Sequence, residues 1–122
     1  MTQSLYERIG GENAVRATVM KLYEKILSDD ELAPFFENIN VEALRRSQSA
    51  FVTYAFGGPN HYTGNTMRAA HKNAVQQGLN DHHFDLVAGH LQSAMQELNV
   101  APYLITEAIT IVGSTRHDVL NK

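Results

Sequence analysis

The 122-residue chain has no cysteine. That absence excludes disulfides, zinc–thiolate sites, iron–sulfur clusters and cysteine nucleophiles. It also lacks any apolar run approaching the ~20 residues that a membrane span needs. The opening residues, Met1-Thr2-Gln3-Ser4-Leu5-Tyr6-Glu7, carry neither the basic nor the apolar region of a signal peptide. A cytoplasmic location is the expectation. Basic charge is not in excess: ten Lys and Arg against thirteen Asp and Glu leave a net charge of −3. Such a balance gives no electrostatic footprint for nucleic acid. No serine sits in a strand–turn–helix elbow, and no glycine pattern follows a strand as a phosphate-binding loop would.

What is present is an ordinary globular balance, 43% hydrophobic and 19% charged. The length fits one domain, residues 1–122, with enough chain to bury a core without staples. The one compositional oddity is six histidines, at 61, 71, 82, 83, 90 and 117.

The hydrophobic period is helical throughout. Gly10-Gly11 closes a short N-terminal turn or helix, and Val15, Val19, Leu22, Tyr23, Ile26 and Leu27 then mark an amphipathic helix from about Asn13 to Leu27. Pro34 suits the first turn of a brief helix, and Phe35-Phe36 places two large rings at the corner. A helix from about Val41 to Ala55 carries the stripe Leu44, Gln48, Phe51 and Ala55, in which the amide of Gln48 must find a partner or a wet edge. The hydroxyl of Tyr23 raises the same question. After the Gly57-Gly58-Pro59 corner, helical spacing resumes briefly at Met67, His71 and Ala74-Val75. Asn80 or Asp81 caps the clearest helix, striped by Phe84, Val87, Leu91, Met95 and Leu98. Pro102 opens a last helix through Leu104, Ile105, Ala108, Ile109 and Val112 towards Val119. The expectation is an all-α fold of four main helices, packed economically as two antiparallel pairs.

Spacing alone leaves the histidines open. His71 shares a stripe with Met67 and Val75, the placement of a metal-ligating imidazole but more often that of a core histidine bonded to a carbonyl. His82, His83 and His90 read as surface residues, and Asp81, Asp85 and Glu97 as solvated acids. His117 stands near the end of the last helix, where a cation suits the dipole.

Several stretches together resemble the group I truncated haemoglobins. They are Leu5-Tyr6-Glu7-Arg8-Ile9-Gly10-Gly11, Tyr23, Phe35-Phe36 and Phe51-Val52-Thr53-Tyr54-Ala55-Phe56-Gly57-Gly58. Met67-Arg68-Ala69-Ala70-His71-Lys72, His83-Phe84-Asp85 and Asp118-Val119-Leu120-Asn121 complete them, and the match spans essentially the whole chain. The resemblance implies a two-over-two helical sandwich around haem b, with His71 as proximal iron ligand. It places Tyr23, Leu44, Ser47 and Gln48 in the distal ligand pocket. Phe35, Phe36, Phe51, Tyr54, Met67, Arg68, Lys72 and Phe84 would contact haem, Arg68 and Lys72 being candidates for its propionates.

In several cyanobacterial members a second histidine binds iron where this chain has Ser47, and Leu44 replaces a frequent distal glutamine. Serine cannot ligate iron as imidazole does, so an exchangeable sixth site is expected. His117 matches the histidine that some members join covalently to a haem vinyl group, against the alternative of a haem-edge or surface histidine. The implied function is reversible binding of oxygen, with nitric oxide and carbon monoxide as further ligands, by a monomer. The alternatives are a nitric oxide dioxygenase served by an electron-donating reductase, and a haem-free helical interaction domain.

Overall fold

Ser4 starts the first helix by turning its hydroxyl back to accept from the Glu7 amide at 3.2 Å. A cap of this kind satisfies one of the amides that a helix leaves free at its start. The computed structural model describes residues 4–36, 40–58, 72 and 75–121, without the side chains of Val41, Ala43, Leu44 and Ser47. Its elements are α1 (Leu5–Ile9), α2 (Glu12–Leu27), a 3-10 turn (Ala33–Phe36) and α3 (Val41–Ala55), then α4 (Asp81–Glu97), α5 (Pro102–Gly113) and α6 (Arg116–Leu120). Among the described residues there is no strand, and the four main helices are those expected. Most of the expected Met67–Val75 segment lies outside the described residues.

Helix α2 buries Val15, Thr18, Val19, Leu22, Tyr23 and Ile26, a stripe recurring by three and four. The stripe stops there, for Leu27 is 44% exposed rather than inside. On α3 the expected stripe is displaced by one residue. Val52, and Phe56 just beyond the helix, are each 1% exposed, whereas Gln48, Phe51 and Ala55 are only half-buried. Burying side chains of this size stabilises by about 1.5–3 kcal/mol each, so positions 52 and 56 anchor α3 and leave 48 and 51 on its flank.

The corner after α3 depends on both its glycines. Gly57 has φ +82, a conformation costly for other residues. A Cβ on Gly58 would lie 2.7 Å from the Tyr6 ring and 2.8 Å from Thr53 Cγ2. The Tyr6 amide donates to the Phe56 carbonyl at 2.9 Å, so α1 closes directly over this corner.

Asn80 caps α4, accepting from the His82 amide at 2.9 Å, while its own amide donates to His83 Nδ1 at 3.2 Å. Pro102 stands in the first turn of α5, as its missing amide favours. The last helix differs from expectation. It breaks at Ser114-Thr115, whose hydroxyls donate to the carbonyls of Ile111 (2.5 Å) and Val112 (2.7 Å), and α6 starts afresh at Arg116. Helix α2 packs against α1, α3, α4 and the 3-10 turn, while α4 also packs against α5 and α6. The common core runs from Val19, Leu22 and Ile26 through Leu91 and Met95 to Ala108 and Val112.

Candidate functional site

Tyr23 is the anchor of the site. Its place in the α2 stripe buries it to 5% exposure, yet its hydroxyl meets no hydrogen-bond partner among the described residues. The Arg8 Nε is likewise buried without a partner, but that guanidinium bonds Glu107 through another nitrogen. Tyr23 has no such second contact. Burial pushes its phenol above the ordinary tyrosine range, with the nearby charge of Arg45 partly opposing. A buried donor left unpaired costs about 1–3 kcal/mol, a cost removed by any ligand that accepts from it.

The 3-10 turn sets one ring against Tyr23 and another against α4. Phe36 meets the Tyr23 ring edge-on, with centroids 6.4 Å apart and planes at 62°. Phe35 meets the His83 ring of α4 at 5.0 Å and 74°. Across from α2, helix α3 places Gln48 and Phe51 half-buried, one turn apart, and leaves Tyr54 40% exposed. The side chains of Leu44 and Ser47 lie outside the described residues, as do His71, Met67, Arg68 and His61. Lys72 is exposed on helical backbone.

On the α4 side, Phe84 is 6% exposed, and the Arg116 guanidinium lies 4.5 Å from its ring centroid. Arg116 also donates to Asp81 at 2.9 Å and to Asp85 at 2.6 Å, which raises its own pKa, Asp85 having the larger effect. His117, the next residue, is exposed. Asp81 and Asp85 are exposed, as expected, and these contacts add an ion pair to each. Glu97 is also paired, with Lys25 and at 3.6 Å with Lys21, and Lys25 above all holds its carboxyl below the usual range.

His90 is also not a free surface group. It is half-buried and its Nε2 stands 2.8 Å from Asp29 Oδ2. His82 is exposed but bonds Glu31 at 2.6 Å. Sequence reasoning missed both pairs because the partners lie 61 and 51 positions apart, and no local period reports that. No group of three or more His, Asp or Glu among the described residues could hold a metal ion.

An unpaired buried phenol, a half-buried amide on the helix packed against its own, and several aromatic rings suit a flat apolar cofactor that presents a polar ligand. The residues therefore fit haem. Residues 4–121 match the model of the family described as bacterial-like globin. The chain is 44% identical over 122 residues to the group 1 truncated haemoglobin GlbN of Synechocystis sp., covering 98% of each. It is 40% identical to the group 1 truncated haemoglobin of Tetrahymena pyriformis, covering 98% of this chain and 97% of the relative. Among solved structures, the 2/2 haemoglobin of Synechococcus sp. PCC 7002, in the cyanomet state with covalently attached haem, superposes with a TM-score of 0.90. That pair shares 46% identity over 98% of this chain and 100% of the other. The Fe(III) form of the Tetrahymena pyriformis protein gives 0.87 at 39% identity, with the same coverage.

Proposed function

The chain belongs to the bacterial-like globin family, as a group 1 truncated haemoglobin, and from that premise we propose that it binds and releases oxygen at a haem iron carried by His71. Haem-based binding of gaseous ligands, haem b as cofactor and the two-over-two helical fold come with the family. The haem-free interaction domain is thereby set aside. When bound, haem supplies an iron that takes a diatomic molecule at its sixth position.

The observation that carries the oxygen reading is the Tyr23 hydroxyl, buried and without a partner among the described residues. It is a donor held ready for a ligand atom that bears partial negative charge, and oxygen gains more from such a donor than carbon monoxide does. Gln48, half-buried on α3, supplies an amide as second donor. Phe35, Phe36, Phe51, Tyr54 and Phe84, with Met67 as the family match adds it, would line the macrocycle. Arg68 and Lys72 would meet its propionates. His71 would use one imidazole nitrogen for iron and donate the other N–H to a neighbouring acceptor. His117 is the candidate for a bond to a haem vinyl group.

The second reading is nitric oxide dioxygenation, in which nitric oxide, oxygen and one electron give nitrate. Tyr23 would serve it equally, and the electron would come from a reductase. Oxygen release and nitrate formation, measured on the purified haem protein with and without a reductase, separate the two. Slow, complete oxygen release without sustained nitrate production supports oxygen binding as the role, whereas many turnovers per haem would replace it with the enzyme.

A further inference from the structure

Of the six histidines that mark the composition, the proposed haem site would take His71 and, as a candidate, His117. Three others, His82, His83 and His90, lie on α4 and all meet the short segment between α2 and the end of the 3-10 turn. His90 Nε2 stands 2.8 Å from Asp29 Oδ2, with side chains only 26% and 16% exposed. His82 Nε2 stands 2.6 Å from Glu31 Oε2, with side chains 63% and 57% exposed. The His83 ring takes the edge of Phe35 at 5.0 Å.

Asp29 also folds the segment that it tethers. Its Oδ1 accepts from the Glu31 amide at 2.9 Å, and its carbonyl accepts from the amides of Leu32 (3.0 Å) and Ala33 (2.8 Å). That turn delivers Phe36 to the Tyr23 ring. One carboxylate thus connects α4 to the corner that packs on the buried phenol.

We propose that Asp29 and His90 are positioning residues for Tyr23: their half-buried bond holds the corner that fixes the phenol. The proposal rests on Tyr23 being the donor to the ligand. His90 Nε2–H can donate to the carboxylate, and an ionised acceptor makes such a bond roughly twice as strong as one between neutral partners. The exposed His82–Glu31 pair has the same chemistry with far more solvent screening, so it contributes less.

Among the described residues, most other charged groups around α4 are engaged elsewhere. Lys21 and Lys25 of α2 hold Glu97, Arg116 of α6 holds Asp81 and Asp85, Glu107 of α5 holds Arg8, and Asp30 is exposed in the same loop. The His90 bond, and after it the Glu31 amide, keep the Asp29 carboxyl below the usual carboxylate range. A lowered carboxylate stabilises above its ordinary range and loses that contribution as pH falls through its lowered value. The tether is therefore present wherever the Asp29 carboxylate is ionised.

The test is oxygen dissociation from the haem-loaded protein, with amide-exchange protection of residues 29–36 measured on the same samples. His90→Ala should release oxygen roughly threefold faster than wild type and lose protection of the corner in parallel, because a charge-assisted bond is lost. His90→Gln keeps a donor to the carboxylate and should recover most of both. Asp29→Asn removes the charged acceptor, should behave as His90→Ala does, and covers the case in which His90→Ala fails to fold. Wild-type release and protection in either His90→Ala or Asp29→Asn overturns the proposal. If Tyr23→Phe leaves oxygen release unchanged, the donor reading fails instead, and the protection data still report on the tether.

Discussion

The rings of Tyr23 and Phe36 meet edge-on at 6.4 Å, so the phenol is steered by a residue of the next element while its hydroxyl has no partner among the described residues. Tyr23→Phe leaves that ring contact intact and removes only the donor. Oxygen dissociation should quicken by roughly tenfold or more, matching a lost bond of about 1–3 kcal/mol. The haem-free protein should keep its melting temperature or gain slightly, since an unsatisfied buried group has gone. Stopped-flow release and thermal unfolding together check this; an unchanged release rate shows that the hydroxyl points elsewhere.

His71→Ala removes the proposed iron ligand. The purified variant should lose most of its haem or hold it with an altered Soret band, and full retention with an unchanged spectrum refutes the assignment. Because the chain has Ser47 where some relatives carry a second iron-binding histidine, the ferrous wild type should not show a strong bis-histidine spectrum.

His117 is exposed, one residue beyond the Arg116 that grips Phe84. If it bonds the haem, acid–organic extraction will leave haem on the wild type and strip it from His117→Ala. Equal extraction from both identifies His117 as a surface histidine.

Arg116 joins α6 to α4 through Asp81, Asp85 and the Phe84 ring. Arg116→Ala should lower the melting temperature by roughly a few degrees and raise amide exchange in Arg116–Leu120 more than in α5. Arg116→Lys should rescue only in part, because a single ammonium cannot reproduce the two-pronged geometry over a ring. Unchanged exchange in α6 would show that its own apolar residues, Val119 and Leu120, hold it.

Most of the scaffold was legible because it follows local rules. The α2 and α4 stripes, the Asn80 cap and the Pro102 start all came from spacing within a few residues. Two local details were read wrongly. Half-buried Phe51 and Ala55 on α3 resemble a core stripe in sequence, although Val52 and Phe56 are the buried pair. The Ser114-Thr115 break was read through, since both hydroxyls also tolerate a helix. What spacing could not show was distance: Asp29 with His90, Glu31 with His82, and Arg116 with Asp81 and Asp85 are tertiary pairs. For the site, Tyr23 and Gln48 stood out as polar groups on apolar stripes. His71 became a proposed iron ligand only through the family resemblance, because one imidazole on a short apolar face is usually structural.

Arg8 of α1 and Glu107 of α5 bond at 2.5 Å across 99 positions. A five-residue helix such as α1 is too short to persist alone, so it waits on that partner and on the Phe56 carbonyl. At about 5–20 residues per second of synthesis, the wait for Glu107 is roughly 5–20 s, during which α1 has only α2 and the Phe56 corner beside it. The earliest of these helices to be made thus settles only after most of the chain has followed it.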